Sequence, residues 1–211
     1  MKRFIGEQDR IITIAVDVQN DFCPGGKLAV NDGDQVVPPI NQLFDYTRAN
    51  QGTVIVTGDQ HPADTPHFKL WPVHCVENTD GAKLRADLDV RPEDIVINKG
   101  TGQTDGYSGF EGATVDGHTI ETLINPAQKE RIALLIGGLA TDHCAGATVM
   151  DALEFAARMR VEHQAKIAVY AITDAMRAVN INPDDGEKAL EKMEKAGAIL
   201  ATTADIINEQ E

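Results

Sequence analysis

Six short apolar runs, at residues 11–16, 53–57, 94–98, 132–136, 166–170 and 198–201, constrain the fold of this chain more than anything else in it. The first, Ile11-Ile12-Thr13-Ile14-Ala15-Val16, is nearly unbroken and rich in β-branched residues, the pattern of a strand covered on both faces. Helical spacing separates most of the runs. It covers 37–49, with Ile40, Leu43, Phe44 and Thr47 on one face, then 118–125, then a stretch reaching about residue 160 with Val149, Ala152, Leu153 and Ala156 at core spacing. A further helix is predicted at 184–196, with acids in its first turn, lysines in its last and Gly197 as a stop. A shorter helical suggestion lies at 82–88. Strands alternating with helices predict an α/β fold in three layers, an open, mostly parallel six-stranded sheet with helices on both faces. The whole of 1–211 reads as one domain, with an irregular insertion around 59–92. A connection that long is usually functional or disordered, and Trp71 with three histidines argues against disorder.

In such sheets ligands bind beyond the carboxyl ends of the strands, near the point where strand order reverses. Asp17, Asp59, Lys99 and Cys144 all stand at or just past the ends of the first four runs. Cys144 follows Gly137-Gly138 and falls in the first turn of the next helix, whether Thr141 or Asp142 is its cap. Unpaired N–H groups and the positive end of the helix dipole favour thiolate over thiol there, and the same N–H groups suit an oxyanion. A cysteine so placed is, by itself, more often an inert buried thiol. Asp17 and Lys99 give it complementary company: a carboxylate to take its proton and an ammonium to steady the thiolate.

Asp59, His61, His67 and His74 form a second cluster, three imidazoles and a carboxylate, which suits one divalent transition metal such as zinc, iron or manganese. Cys75 is either a substitute ligand or, as its type favours, a small buried hydrophobe. Phe22, Trp71 and Tyr107, in the loops after the first three runs, suit the walls of a flat apolar pocket. The glycine-rich stretch after Lys99 lacks the third glycine and the prompt helix of a nucleotide-binding fingerprint.

Bulk properties exclude other classes of partner. With 33 acidic against 19 basic side chains the formal net charge is −14, which disfavours nucleic acid and anionic membrane surfaces. No apolar run has the length of a signal peptide or a membrane span, and three scattered cysteines make no disulfide framework. A cytoplasmic location and a small-molecule substrate are expected, with homo-oligomerisation left open.

Five motifs, in order, resemble those of the nicotinamidase/pyrazinamidase branch of the isochorismatase-like cysteine hydrolases. They are Asp17-Val18-Gln19-Asn20-Asp21-Phe22-Cys23, Asp59-Gln60-His61-Pro62, Trp71-Pro72-Val73-His74-Cys75-Val76, Lys99-Gly100 and Gly138-Leu139-Ala140-Thr141-Asp142-His143-Cys144. The resemblance implies a catalytic triad of Asp17, Lys99 and Cys144, and a metal surrounded by Asp59, His61, His67 and His74. It further implies a metal that meets the pyridine nitrogen of nicotinamide, and a substrate pocket lined by Phe22, Trp71, Tyr107 and His143. A cis peptide at Leu139–Ala140 is implied in the same way. The expected reaction is hydrolysis of nicotinamide through a cysteine thioester, with the N–H groups of Ala140 and Cys144 as oxyanion hole. Only Phe68-Lys69-Leu70 separates His67 from Trp71, a shorter link than in many relatives, which bears on substrate breadth. Rival readings are an amidase of the same superfamily acting on another small amide or carbamoyl compound, and a metal- or redox-sensing protein in which Cys144 is oxidised.

Overall fold

The computed structural model describes residues 5–6, 9–102 and 104–208. Six strands, β1 (Arg10–Val16), β2 (Thr53–Asp59), β3 (Ile95–Lys99), β4 (Arg131–Leu139), β5 (Lys166–Arg177) and β6 (Ile199–Ala201), form one sheet in the order β3-β2-β1-β4-β5-β6. Every pairing is parallel, so the sheet has no antiparallel member among the described residues. Helices α1 (Val37–Ala49) and α5 (Thr203–Ile207) cover one face, while α2 (Ile120–Ile124), α3 (Cys144–Glu162) and α4 (Asp185–Ala196) cover the other.

β1 shows why its sequence reads as an unbroken apolar run. Ile11 and Ala15 pack on the first face, and Ile12, Ile14 and Val16 on the second. Successive side chains point to opposite faces, so burying both leaves no room for polar alternation. Thr13 is the one exception, and its hydroxyl lies 2.5 Å from that of Thr47 on the inner face of α1. Each hydroxyl thereby satisfies the other inside the core.

The helical suggestion at 82–88 is not a helix. Ala82 and Leu88 are buried, which explains the apolar spacing, but the backbone here is committed elsewhere. Asn20 N–H donates to Lys83 O and Arg85 N–H donates to Val18 O, so neither group is free for a helical bond. β4 runs on past its predicted end at residue 136, through Gly137 and Gly138, to Leu139. Gly138 has φ +119°, and a Cβ there would stand 2.1 Å from Val16 O, so the close approach of β1 and β4 demands glycine. β5 also runs past its predicted end to Arg177, and α5 follows the last strand without having been expected.

Among the described residues, no helix is long and apolar enough to cross a membrane.

Candidate active site

Strand order reverses at β1, whose neighbours are β2 and β4. The four strand-end residues gather there. Asp17 follows β1, Asp59 ends β2, Lys99 ends β3 in register with Asp59, and Cys144 opens α3 just after β4. Strands lie about 4.8 Å apart, so Lys99 starts two strands from β1, and its long stem crosses that gap. Its Nζ lies 2.6 Å from Asp59 Oδ1, 2.8 Å from Asp17 Oδ2, 3.0 Å from Gly106 O and 3.3 Å from Cys144 Sγ. Asp17 sits at φ +51°, a left-handed conformation that aspartate tolerates better than most residues, and its Oδ1 accepts from the Thr57 hydroxyl at 2.6 Å. Its Oδ2 meets Lys99 off the axis of a hydrogen bond and has no aligned donor among the described residues. That leaves a lone pair on the oxygen available to the thiol, and one oxygen each of Asp17 and Asp59 lies within 4.8 Å of Cys144 Sγ.

Burial and the shared lysine push the two carboxyls apart. Burial, only partly offset by Lys99 and reinforced by Asp59, raises Asp17 to about 6. For Asp59 burial acts in the same direction, but Lys99 and His61 outweigh it and hold the carboxyl below its ordinary value. Burial also opposes the charge on Lys99, and there the two carboxylates prevail and keep the ammonium charged. Cys144 departs from the sequence expectation. Burial comes first and the neighbouring carboxylates add to it, so the thiol stands well above its ordinary value despite Lys99. The cap of α3 is His143 rather than Thr141 or Asp142, which makes Cys144 the first helical residue. The thiol is therefore protonated at rest beside a carboxylate poised to receive its proton.

His61, His67 and His74 are all buried and each brings a ring nitrogen within 4.8 Å of the others. Their Nδ1 atoms are occupied: His61 with Gly100 O at 3.0 Å, His67 with Asp105 Oδ1 at 2.7 Å and His74 with Pro72 O at 2.7 Å. An Nδ1–H donating to an acceptor leaves Nε2 with its lone pair, the state that ligates a metal. His61 Nε2 is buried with no hydrogen-bond partner among the described residues, and burial holds His74 below the usual imidazole range. The donor set thus fits a divalent cation. Asp59 stands at its edge, with Oδ2 3.6 Å from His61 Nε2 and Oδ1 given to Lys99. Cys75 is not in the group. Its Sγ lies 3.8 Å from Gly81 O, and burial pushes the thiol far up.

A cleft opens onto both clusters, its walls including Phe22, Trp71, Tyr107, His143, Leu139 and Ala140, with Cys144 and His67 reaching into it. Trp71 Nε1 donates to Tyr107 OH at 2.9 Å, and the indole meets His143 edge-on at 4.9 Å between ring centroids. The Leu139–Ala140 peptide is cis. His143 N–H and Ala145 N–H both donate to Ala140 O, while Cys144 N–H, at the first position of α3, has no partner within the helix. Leu28, Val30 and Val179 add to the walls from segments that carried no sequence signal. Gln19 was also missed. Its amide donates to Asp59 O at 2.8 Å and to Ala82 O at 2.7 Å, and accepts from Asp59 N–H at 2.8 Å, fixing the end of β2. Its one signal in the sequence was its place in the Asp17–Cys23 motif, which named no role for it.

Comparison with known proteins shows the family and the fold. The family model described as Isochorismatase domain matches residues 12–205. The nicotinamidase of Escherichia coli (strain K12) is 36% identical over 214 residues, spanning 91% of this chain and 94% of its own length. The structure of the pyrazinamidase of Pyrococcus horikoshii in complex with zinc is 31% identical, with a TM-score of 0.75 over 92% of this chain and 99% of that one. PnC1 from L. infantum in complex with nicotinate also gives a TM-score of 0.75, at 26% identity over 95% of this chain and 96% of that one.

Proposed function

Since the chain belongs to the isochorismatase-domain family and shares most of its length with a nicotinamidase, we propose that it hydrolyses nicotinamide, and pyrazinamide with it, to the acid and ammonia. This reaction returns nicotinate to NAD salvage. The observation that carries the chemistry is the convergence of Asp17, Lys99 and Cys144 at the point where the sheet's strand order reverses.

Asp17 Oδ2 takes the proton from Cys144 as sulfur attacks the carboxamide carbon. The proton moves with the attack, because burial disfavours a thiolate at rest. Ala140 N–H and Cys144 N–H receive the oxyanion, and Lys99 holds Asp17 and the sulfur in register. Protonated Asp17 then gives its proton to the departing nitrogen, the C–N bond breaks, and ammonia leaves a thioester on Cys144. Water attacks that thioester as Asp17 takes its proton; the C–S bond then breaks, Asp17 returns the proton to the sulfur to restore the thiol, and the acid leaves and ionises to nicotinate. Phe22, Trp71, Tyr107 and His143 bind the flat ring. His61, His67 and His74, with Asp59 beside them, hold a divalent metal, and by likeness to the P. horikoshii protein we assign zinc. When bound, that ion supplies a Lewis acid for the ring nitrogen.

Ammonia release from nicotinamide by the purified protein tests this reading, with and without a chelator and in Cys144→Ala. Turnover should vanish in Cys144→Ala, while Zn²⁺ uptake persists. Activity surviving in that variant removes the nucleophile assignment. Faster turnover of a carbamoylated amine than of nicotinamide moves the protein to another branch of the family.

A further inference from the structure

Asp105 takes no part in the steps above, yet it stands against the site. Its Oδ1 lies 2.7 Å from His67 Nδ1, although 44% of its side chain is exposed. Three other residues of the same stretch after β3 touch the machinery. Gly100 O holds His61 Nδ1 at 3.0 Å, Gly106 O holds Lys99 Nζ at 3.0 Å, and Tyr107 OH holds Trp71 Nε1 at 2.9 Å. One stretch therefore supplies the acceptors for two imidazoles, the buried ammonium and the indole that walls the cleft. His67 is buried, but 44% of the Asp105 side chain is exposed, so water screens the pair and it adds little to fold stability. Its effect falls on the imidazole, because a carboxylate accepting from Nδ1–H fixes the tautomer and the orientation of the ring.

We propose that Asp105 is a positioning residue for the metal centre, holding His67 with Nε2 toward the other two imidazoles. Through its neighbours Gly106 and Tyr107 it also ties the filling of that centre to the placement of Lys99 and Trp71. The proposal rests on the three-imidazole reading of the metal site.

Trp71 is the chain's single tryptophan, so its emission reports this wall alone. The test is a titration of Zn²⁺ into chelator-stripped wild type, Asp105→Ala and Asp105→Asn. Binding is followed by competition with a chromogenic chelator, and Trp71 emission is recorded in the same samples. Wild type takes up one equivalent, and its emission changes in step with binding. Asp105→Ala binds Zn²⁺ about 10- to 100-fold more weakly, and its emission no longer follows occupancy. Asp105→Asn keeps an acceptor oxygen and recovers most of the affinity. The Co²⁺-loaded alanine variant shows a shifted ligand-field spectrum, which a general loss of stability does not produce, and the metal-free forms unfold together in urea. Zn²⁺ affinity within about twofold of wild type in Asp105→Ala overturns the role of Asp105 and leaves the metal centre standing. Flat emission while wild type binds Zn²⁺ overturns the link to Trp71. Failure of wild type to bind stoichiometric Zn²⁺ overturns the three-imidazole centre itself, and the proposal with it.

Discussion

Replacing Lys99 with methionine removes the one cation at the centre of the site while keeping a long, flexible side chain in its place. What is lost is an ammonium 2.6 Å from Asp59, 2.8 Å from Asp17 and 3.3 Å from Cys144, all of them buried. Removing one partner of a buried ion pair costs about 3–5 kcal/mol, because the other charge is left uncompensated in a poor solvent. Two carboxylates are stranded here, so the upper half of that range applies until one of them takes a proton. For a chain of this size the melting temperature falls by about 2–4 °C per kcal/mol, which gives a drop of about 8–20 °C. The pH dependence follows from the same charges. Burial already raises Asp17 to about 6 with Lys99 present, and without the ammonium it rises further. A carboxyl whose folded pKa is raised favours folding when protonated, and that contribution is lost as pH rises through the folded pKa. The difference between wild type and Lys99→Met is therefore largest at pH 8 and shrinks toward pH 5. Urea unfolding of chelator-treated proteins across that interval, followed by circular dichroism, measures it. A loss below about 1 kcal/mol at pH 8, or one that does not shrink toward pH 5, refutes the buried charge cluster.

Three further outcomes are expected. With Asp17 at about 6, kcat/KM for nicotinamide should fall toward tenfold per pH unit on the acid side of that value and level off above it. An acid limb near pH 4 in the pH–rate profile would remove Asp17 as the base. Asp17→Asn should lower ammonia release by about 10³-fold or more, while Zn²⁺ uptake, read by metal analysis, stays at one equivalent. Gly138→Ala would put a Cβ 2.1 Å from Val16 O at φ +119°, and should cost at least about 3 kcal/mol by thermal unfolding. A melting temperature within about 2 °C of wild type would show that β1 and β4 do not meet as described.

Local chemistry is what a sequence states openly, and here it stated a good deal. An apolar run such as 11–16 declares a strand buried on both faces, because the side-chain period of two and the covering of each face are properties of the run itself. The positions of Asp17, Asp59, Lys99 and Cys144 at successive strand ends were legible for the same reason. The spacing at 82–88 misled because burial of Ala82 and Leu88 was achieved from a turn, whose backbone bonds go to Val18 and Asn20 far away in the chain.

Folding alone decided which strand ends became neighbours, and what that did to the groups upon them. The order β3-β2-β1-β4 lays Asp59 between Lys99 and Asp17, and nothing within any one motif says that a single ammonium will serve both. The state of the Cys144 thiol was read in opposite directions for this reason. A helix N-terminus is visible in the letters and lowers a thiol's pKa, whereas full burial beside two carboxylates is not visible and raises it further. Asp105 and Gln19 belong to the same class, since each is an ordinary polar residue until a distant backbone or imidazole is brought to it. Sequence determines which groups are available and the edge of the sheet they occupy. Their charges and their partners depend on distance and dielectric, and those exist only once the chain has closed around them.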